Sequence, residues 1–530
     1  MQKEILFRKE SRDRLLKGVQ KITDAVRVTM GAAGKCVLIG NAVYNDGFLY
    51  HLPTIVSKDG WTVTKHFELQ DPVENRGAMM IKEAATKTVE QAGDATTCTC
   101  VLAESLITNG MKLIDEGANS QELKKGMDKA LEYVIDELKK MSVPVKGDIE
   151  RIRQVATVSA NNDKVIGDLV AAAYEKIGND GVINIEASKG TATEIKIGDG
   201  FEFERGWVSH MFINNRAKEI CEFENPYILL YDKKISSHVQ IDKALALAKH
   251  NPLVIICDDA IEQGLAYLAM NTYDKRIRCC VVKAPEFGDA RADFMEDIAL
   301  LTGGIYVSDI RGVNIKDVTD RHFGRADKVV VSRNATSIVG GKGNKGAVED
   351  FINDLKMNLV EAKTEEEKYP IEKRIARLTS SVATIQVGAA TETELNEKLD
   401  RVDDAVRATK AAISEGFVAG GGTAFLRISL PIVAGLKNDD LAEGCDLIFE
   451  SLKKPLLQIC ENAGVEWSEV LDEVLARDGD MGYDALSGKI VDMVEAGIID
   501  STKALRCALT NAVSVAGMVL TSECSIISIA

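Results

Sequence analysis

The chain falls into three stretches of different hydrophobic rhythm. Near the start, Leu15, Val19, Ile22 and Val26 recur at intervals of four, three and four, which puts them on one face of a helix. Gly31 is a natural stop for that helix. Two short apolar runs follow, Cys36-Val37-Leu38-Ile39 and Thr54-Ile55-Val56, and read as strands. The polar loop between them carries Asn45-Asp46-Gly47, a hairpin signal. Helical spacing then continues from about Asn75 to Met141, beginning with one long helix-like run from Asn75 to Gly110. Between about Gly198 and Val382 the pattern changes. Tyr227-Ile228-Leu229-Leu230, Leu253-Val254-Ile255-Ile256, Cys279-Cys280-Val281-Val282 and Gly304-Ile305-Tyr306-Val307 alternate with helical stretches, as in an α/β unit with some parallel strands. Beyond Ala383 the chain is mostly helical again. The pattern predicts a helical domain made from both chain ends, enclosing an α/β insertion.

Composition narrows the function classes. A length of 530 residues suggests two to four domains, because one core rarely serves more than ~250–300 residues. The net charge of −16 argues against nucleic acid as the main partner, since phosphate backbones are met by Lys/Arg stripes; its ordinary meaning is solubility. The 11 cysteines include no Cys-x-x-Cys pair, and Cys98/Cys100 and Cys279/Cys280 are too close for the usual zinc spacing. Several sit in apolar runs, as Cys257 does, and read as reduced core residues of a cytosolic protein. A cytoplasmic location is therefore expected. The segment Met1–Arg8 lacks the apolar stretch of a secretory signal, and no run approaches the ~18 apolar residues of a membrane span. The six histidines form no His-x-x-x-His pair, which disfavours a zinc hydrolase.

The candidate chemistry lies in Gly93-Asp94-Ala95-Thr96-Thr97-Cys98. An acid with clustered hydroxyls and free backbone N–H groups at a helix start suits a phosphate and its metal. Asp94 is the candidate metal ligand. Thr96, Thr97 and the amides of residues 95–98, Ala95 to Cys98, form the candidate phosphate cradle, and Thr29, Met30, Gly31 and Ala32 a second wall from a helix end. The same pattern also occurs in ordinary turns and helix caps. Gly340-Gly341-Lys342-Gly343-Asn344-Lys345-Gly346 looks like a phosphate loop but lacks the Gly-Lys-Ser/Thr ending, so a surface turn is expected there.

Three segments taken together change the weighing: Thr54–Gly60, Gly93–Cys98, and Phe417-Val418-Ala419-Gly420-Gly421-Gly422-Thr423-Ala424. They resemble the nucleotide-binding signature of the group I chaperonins, the bacterial GroEL type. Val28–Gly34, Ser159-Ala160-Asn161-Asn162-Asp163, Lys283–Asp289, Leu301–Gly304, Val387–Glu392, Arg401-Val402-Asp403-Asp404-Ala405 and Ala512–Leu520 follow in that family's order, so the resemblance covers nearly the whole chain. It implies an α+β multidomain chaperonin fold. A mainly α-helical equatorial domain would be built from both chain ends (1–141 and 416–530), with a small intermediate domain (142–198 and 384–415) and an α/β apical domain (199–383).

The same resemblance implies ATP and Mg2+ as cofactors, and allows K+. It makes Asp404 the water-activating acid, swung in from the intermediate domain, and Asp59 its equatorial partner. Lys58 joins the nucleotide site; Gly421 would lie against the ribose, Asp500 would be the ribose acid, and Asp484, Ala485 and Leu486 would meet adenine. It places the polypeptide-binding surface at Trp207, Met211, Phe212, Ile241, Leu245, Leu265, Leu268 and Met270, and hinges at Pro144, Gly416 and Gly200. The implied partners are non-native polypeptides, further copies of the chain in a homo-oligomeric ring, seven-membered by the resemblance, and, if one is used, a co-chaperonin lid.

Departures from the family pattern bear on each of these. Ala95 stands for a glycine, so its backbone is expected to avoid positive φ. Ala32-Ala33 replaces a Pro-Lys pair, and Asp484 an asparagine, which removes an amide donor. Ser380-Ser381 replaces a Gly-Gly pair at the upper hinge, and Asp242 a leucine on the first apical helix. No charged catalytic group is lost, so slower hydrolysis or weaker binding is expected rather than inactivity. Leu457 replaces the arginine of the inter-ring bridge while Glu466 keeps its acid, and Glu116 and Glu469 add charge at apolar ring contacts. Like charges on a face that must meet its own copy favour a single ring. The rival readings are a ring scaffold without a folding cycle and a monomeric small-molecule kinase.

Overall fold

The computed structural model describes residues 2–529 apart from 41, 46–47, 52–53, 146, 161, 179–180, 189, 217, 250, 363 and 430–440. Its contacts gather into two compact units, Met1–Ala172 with Ala389–Ala530, and Ala173–Gly388. The first unit takes segments from both sides of the second in sequence.

The first unit is built on the helices Arg8–Arg27, Pro72–Ala92, Thr96–Asp115, Ser120–Met141 and Thr502–Leu520. Val19, Ile22 and Val26 are fully buried in its core with Ile81, Leu102, Leu106, Val134 and Leu509. Thr502–Leu520 is apolar and long enough by composition to cross a membrane, a feature that a search for uninterrupted apolar runs misses. Yet 72% of it is buried inside the protein, and it packs as the central core helix. Gln2–Phe7 and Cys524–Ile529 pair antiparallel, so both chain ends close one small sheet. The strands Val37–Ile39 and Ile55–Ser57 also pair. Within the loop read as polar, Ala42–Asn45 pairs antiparallel with Phe48–His51; residues 46 and 47 of the turn signal lie outside the described residues.

The run from Asn75 to Gly110 is not one helix. Pro72–Ala92 ends at Gly93, which is left-handed (φ 74°), and a new helix starts at Thr96. Apolar periodicity continues across the break, because both helices bury a face in the same core; only the Gly-Asp pair marks the interruption.

The second unit centres on a ten-stranded sheet. Its path runs Cys279–Lys283, Leu253–Cys257, Tyr227–Tyr231, Gly324–Val331, Thr336–Gly341, Glu194–Phe203, Ser381–Val387, Val182–Ala187. The pairs among the first three strands are parallel, as is the last pair. The 142–198 and 384–415 segments are shared between the two units. Glu194–Phe203 and Ser381–Val387 are hydrogen-bonded in register straight across the expected boundaries, with Gly198 opposite Val382. The helix Glu365–Thr379 is pinned by Arg374 and Arg377, both bonded to the buried carboxylate of Asp297. The glycine-rich 340–346 segment runs from strand into helix, and Asn344 caps the amides of Gly346 and Ala347, so those donors are already used.

Candidate functional site

Every segment expected at a phosphate site meets in one pocket of the first unit, lined by Thr29–Ala32, Lys58–Gly60, Asp94–Cys98, Ser159, Asp404, Gly421, Asp484–Leu486 and Asp500. The break between two core helices builds its floor. Gly93 lies so close to the Glu392–Glu415 helix that a Cβ there would fall 2.1 Å from Arg407 Cβ. Asp94 follows, then Ala95 at φ 65°, ψ 23°, as the N-cap of Thr96–Asp115. The expectation that Ala95 avoids positive φ is therefore overturned: the turn needs a left-handed residue before the helix, and packing on both sides imposes it. No side chain caps this helix start, which leaves first-turn N–H groups for an anion.

The opposite wall is the end of Arg8–Arg27. Thr29 Oγ1 lies 3.3 Å from Thr97 Oγ1, and Asn462 Nδ2 donates to the carbonyls of Arg27 and Met30, fixing the turn that holds Met30 and Gly31. Lys58 Nζ donates to the Ala32 carbonyl at 3.2 Å, and burial holds its ammonium below the ordinary lysine range. Asp59 caps the Gly60–His66 helix, accepting from the amides of Trp61 and Thr62. Gly60 must be bare, since a Cβ would sit 2.0 Å from Thr97 Oγ1.

The acids are desolvated and repel one another. Burial raises the Asp94 carboxyl above its usual range, opposed by the Ala95 amide and the Ser159 hydroxyl, while Asp59 adds to the rise. Asp404 is pushed well above, by burial first and then by Asp59, Asp403 and Asp94, with Arg407 pulling the other way. Burial and Asp94 lift Asp500 to about 7 against the Gly421 amide. Asp500 is placed by the pairing of Ile499–Ser501 with Phe417–Ala419. At the far end, the Asp484 carboxylate accepts from the amides of Leu486 and Ser487. It holds the hairpin turn, a task that asparagine could share, while Leu486 is 68% exposed at the rim.

This architecture matches known proteins over its full length. The model of the TCP-1/cpn60 chaperonin family matches residues 22–529. The chain belongs to that family. Its fold is that of the chaperonin gp146 from the bacteriophage EL 2 (Pseudomonas aeruginosa), crystallised in the presence of ATP-BeFx. At 21% identity, and with 99% of each chain covered, the TM-score is 0.74 for one crystal form and 0.65 for another.

In this chaperonin the pocket's donor set is oxygen from carboxylates, hydroxyls and backbone, the preference of a hard divalent cation. Among the described residues no three ligating side chains close round one point. A hard divalent cation held here would take its remaining ligands from phosphate oxygens and water. Asp94, uncapped helix amides behind it and mutually repelling acids around it fit such a group.

Sequence reasoning missed Ser159, whose hydroxyl donates to Asp94, although the Ser-Ala-Asn segment was in view; Asn161 of that segment lies outside the described residues. It also missed Arg407, since nothing local marks a residue that packs on Gly93 from far along the chain.

Burial divides the residues expected at the polypeptide surface. Phe212, Ile241 and Leu268 are fully buried in the core of the second unit, and Trp207, Met211, Leu245 and Leu265 are partly buried against it. Of the eight, only Met270 is exposed, at 52%. With Tyr267 and Tyr273 it forms a stripe at intervals of three along Glu262–Tyr273, beside the exposed Val239. Apolar identity alone could not tell the outer face of this helix from its inner one.

Proposed function

We propose that this chaperonin is an ATP-driven ring that binds non-native polypeptides and promotes their folding. The observation that carries the reading is the convergence of Asp59, Asp94 and Asp404 with the hydroxyls of Thr29, Thr96 and Thr97 in one pocket. The phage chaperonin of the same fold was crystallised with ATP-BeFx, which supports a nucleotide here.

In this reading the helix-start amides and Thr96 and Thr97 hold phosphate oxygens, and Asp94 holds the cation. Bound Mg2+–ATP supplies the transferable phosphoryl group with its charge neutralised. Asp404, whose carboxylate is made more basic by its surroundings, takes the proton of the attacking water. Asp59, fixed by two amides, orients that water, and Lys58 offsets phosphate charge. Asp500 accepts from a ribose hydroxyl against Gly421, while Ala485 and Leu486 flank the base. K+ would be a second charge-neutralising cation. Clients bind the exposed stripe around Met270 in the second unit, where a lid protein would compete. Assembly is as a homo-oligomeric ring, seven-membered by family resemblance, working in the cytoplasm, that of a host cell if the gene is viral.

Steady-state ATPase assays with Asp404→Ala test the reading. Turnover should fall roughly 10²-fold, the range of general-base loss, with ATP affinity nearly intact. Loss of binding together with turnover would move the role elsewhere, and a parent protein without ATPase activity would favour the scaffold.

A further inference from the structure

One hydroxyl in the pocket has no part in the reaction just described. Ser159 ends the Ile149–Ser159 helix, and its Oγ faces two acceptors at once, Asp94 Oδ2 at 2.9 Å and the main-chain carbonyl of Asp404 at 3.2 Å. A serine hydroxyl has a single proton, so it donates fully to only one of them. A carboxylate that gives its lone pairs to a cation becomes a poorer hydrogen-bond acceptor. Engagement of Asp94 therefore releases the proton toward the other acceptor, which lies on the helix that bears the hydrolytic acid.

We propose that Ser159 is a positioning residue that relays the state of Asp94 to the Glu392–Glu415 helix. With Asp94 free, the carboxylate takes the larger share of the proton. With Asp94 engaged, the hydroxyl turns to the Asp404 carbonyl and tightens that helix over the pocket. The packing is suited to passing on a small shift, because Arg407 of the same helix already rests on Gly93, next to Asp94, and close-packed groups transmit displacement. The inference rests on the nucleotide reading of this pocket.

The test is hydrogen exchange on the full chain, following amides 401–410 with EDTA, with Mg2+ alone and with Mg2+–ADP, for the parent, Ser159→Ala and Ser159→Thr. In the parent, Mg2+–ADP should slow exchange there by about tenfold, the worth of one hydrogen bond to a main-chain carbonyl. Ser159→Ala should lose most of that gain, with ADP affinity by calorimetry changed less than about threefold and kcat about tenfold lower at similar KM. Ser159→Thr, which keeps the hydroxyl, should restore both. An undiminished protection gain in Ser159→Ala overturns the relay and leaves the nucleotide reading standing. So does exchange that quickens throughout the first unit, which marks a packing role only. A parent protein that binds no ADP overturns both.

Discussion

Ala95 holds a left-handed conformation, φ 65°, that costs a residue with a Cβ roughly 1 kcal/mol. The cost is accepted because the turn from Gly93 to Thr96 is fixed by two core helices. Ala95→Gly should therefore raise the urea midpoint of the first unit, by an amount equivalent to about 0.5–1 kcal/mol after the entropy that glycine adds to the unfolded chain. An unchanged or lower midpoint would mean that the turn relaxes without strain. Asp500 shows a second local effect. Its folded-state pKa of about 7 stands above the ordinary 3.8, so the folded state keeps a proton that the unfolded chain has released. That contribution is fully present below about pH 4 and is lost as pH rises through about 7. Without nucleotide, Asp500→Asn should melt several degrees above the parent at pH 8, with the gap narrowing toward pH 5 in calorimetric scans. A gap that does not vary with pH would show that the carboxylate ionises there freely.

At the scale of elements, the helices of the second unit decide which substitutions inform. Phe212 is fully buried, so Phe212→Glu puts a charge into the core of the second unit and should unfold it, at a cost of about 3 kcal/mol or more. Met270→Glu, on the exposed side of Glu262–Tyr273, should leave the melting temperature within about a degree and sharply reduce capture of an unfolded protein. Full capture by Met270→Glu would remove the stripe from the client surface. The same elements show what could be read from the sequence. The Leu15–Val26 face and the β-rich runs at Tyr227, Leu253 and Cys279 each follow from a local period, and each is where the pattern put it. The phosphate segments were legible because their chemistry is short-range. The break at Gly93, the handedness of Ala95, the inward turn of Phe212 and the reach of Ser159 to Asp94 are set by contacts between residues far apart in the chain, and no window of sequence contains them.

For the whole molecule, the expected ring number turns on three exposed carboxylates. Glu116 is exposed at the end of Thr96–Asp115, and Glu466 and Glu469 are exposed at the start of Trp467–Leu475, beside Trp467 at 44% exposure. Two surfaces that each carry these carboxylates repel when brought together, less so in salt. Native mass measurement at physiological salt should find a single ring, with pairing favoured as salt rises; a stable double ring under the first condition would rule this out. A last property comes from the cysteines. All 11 are free; nine are buried, and Cys36 and Cys524 are exposed. Five of the buried thiols, Cys98, Cys100, Cys445, Cys460 and Cys507, belong to the first unit, and four, Cys221, Cys257, Cys279 and Cys280, to the second. The native chain thus carries a built-in stopwatch for its own opening: an alkylating reagent leaves these nine sites unmarked until the surrounding structure gives way, and a peptide map of the tags then tells which half came apart first and how long it held.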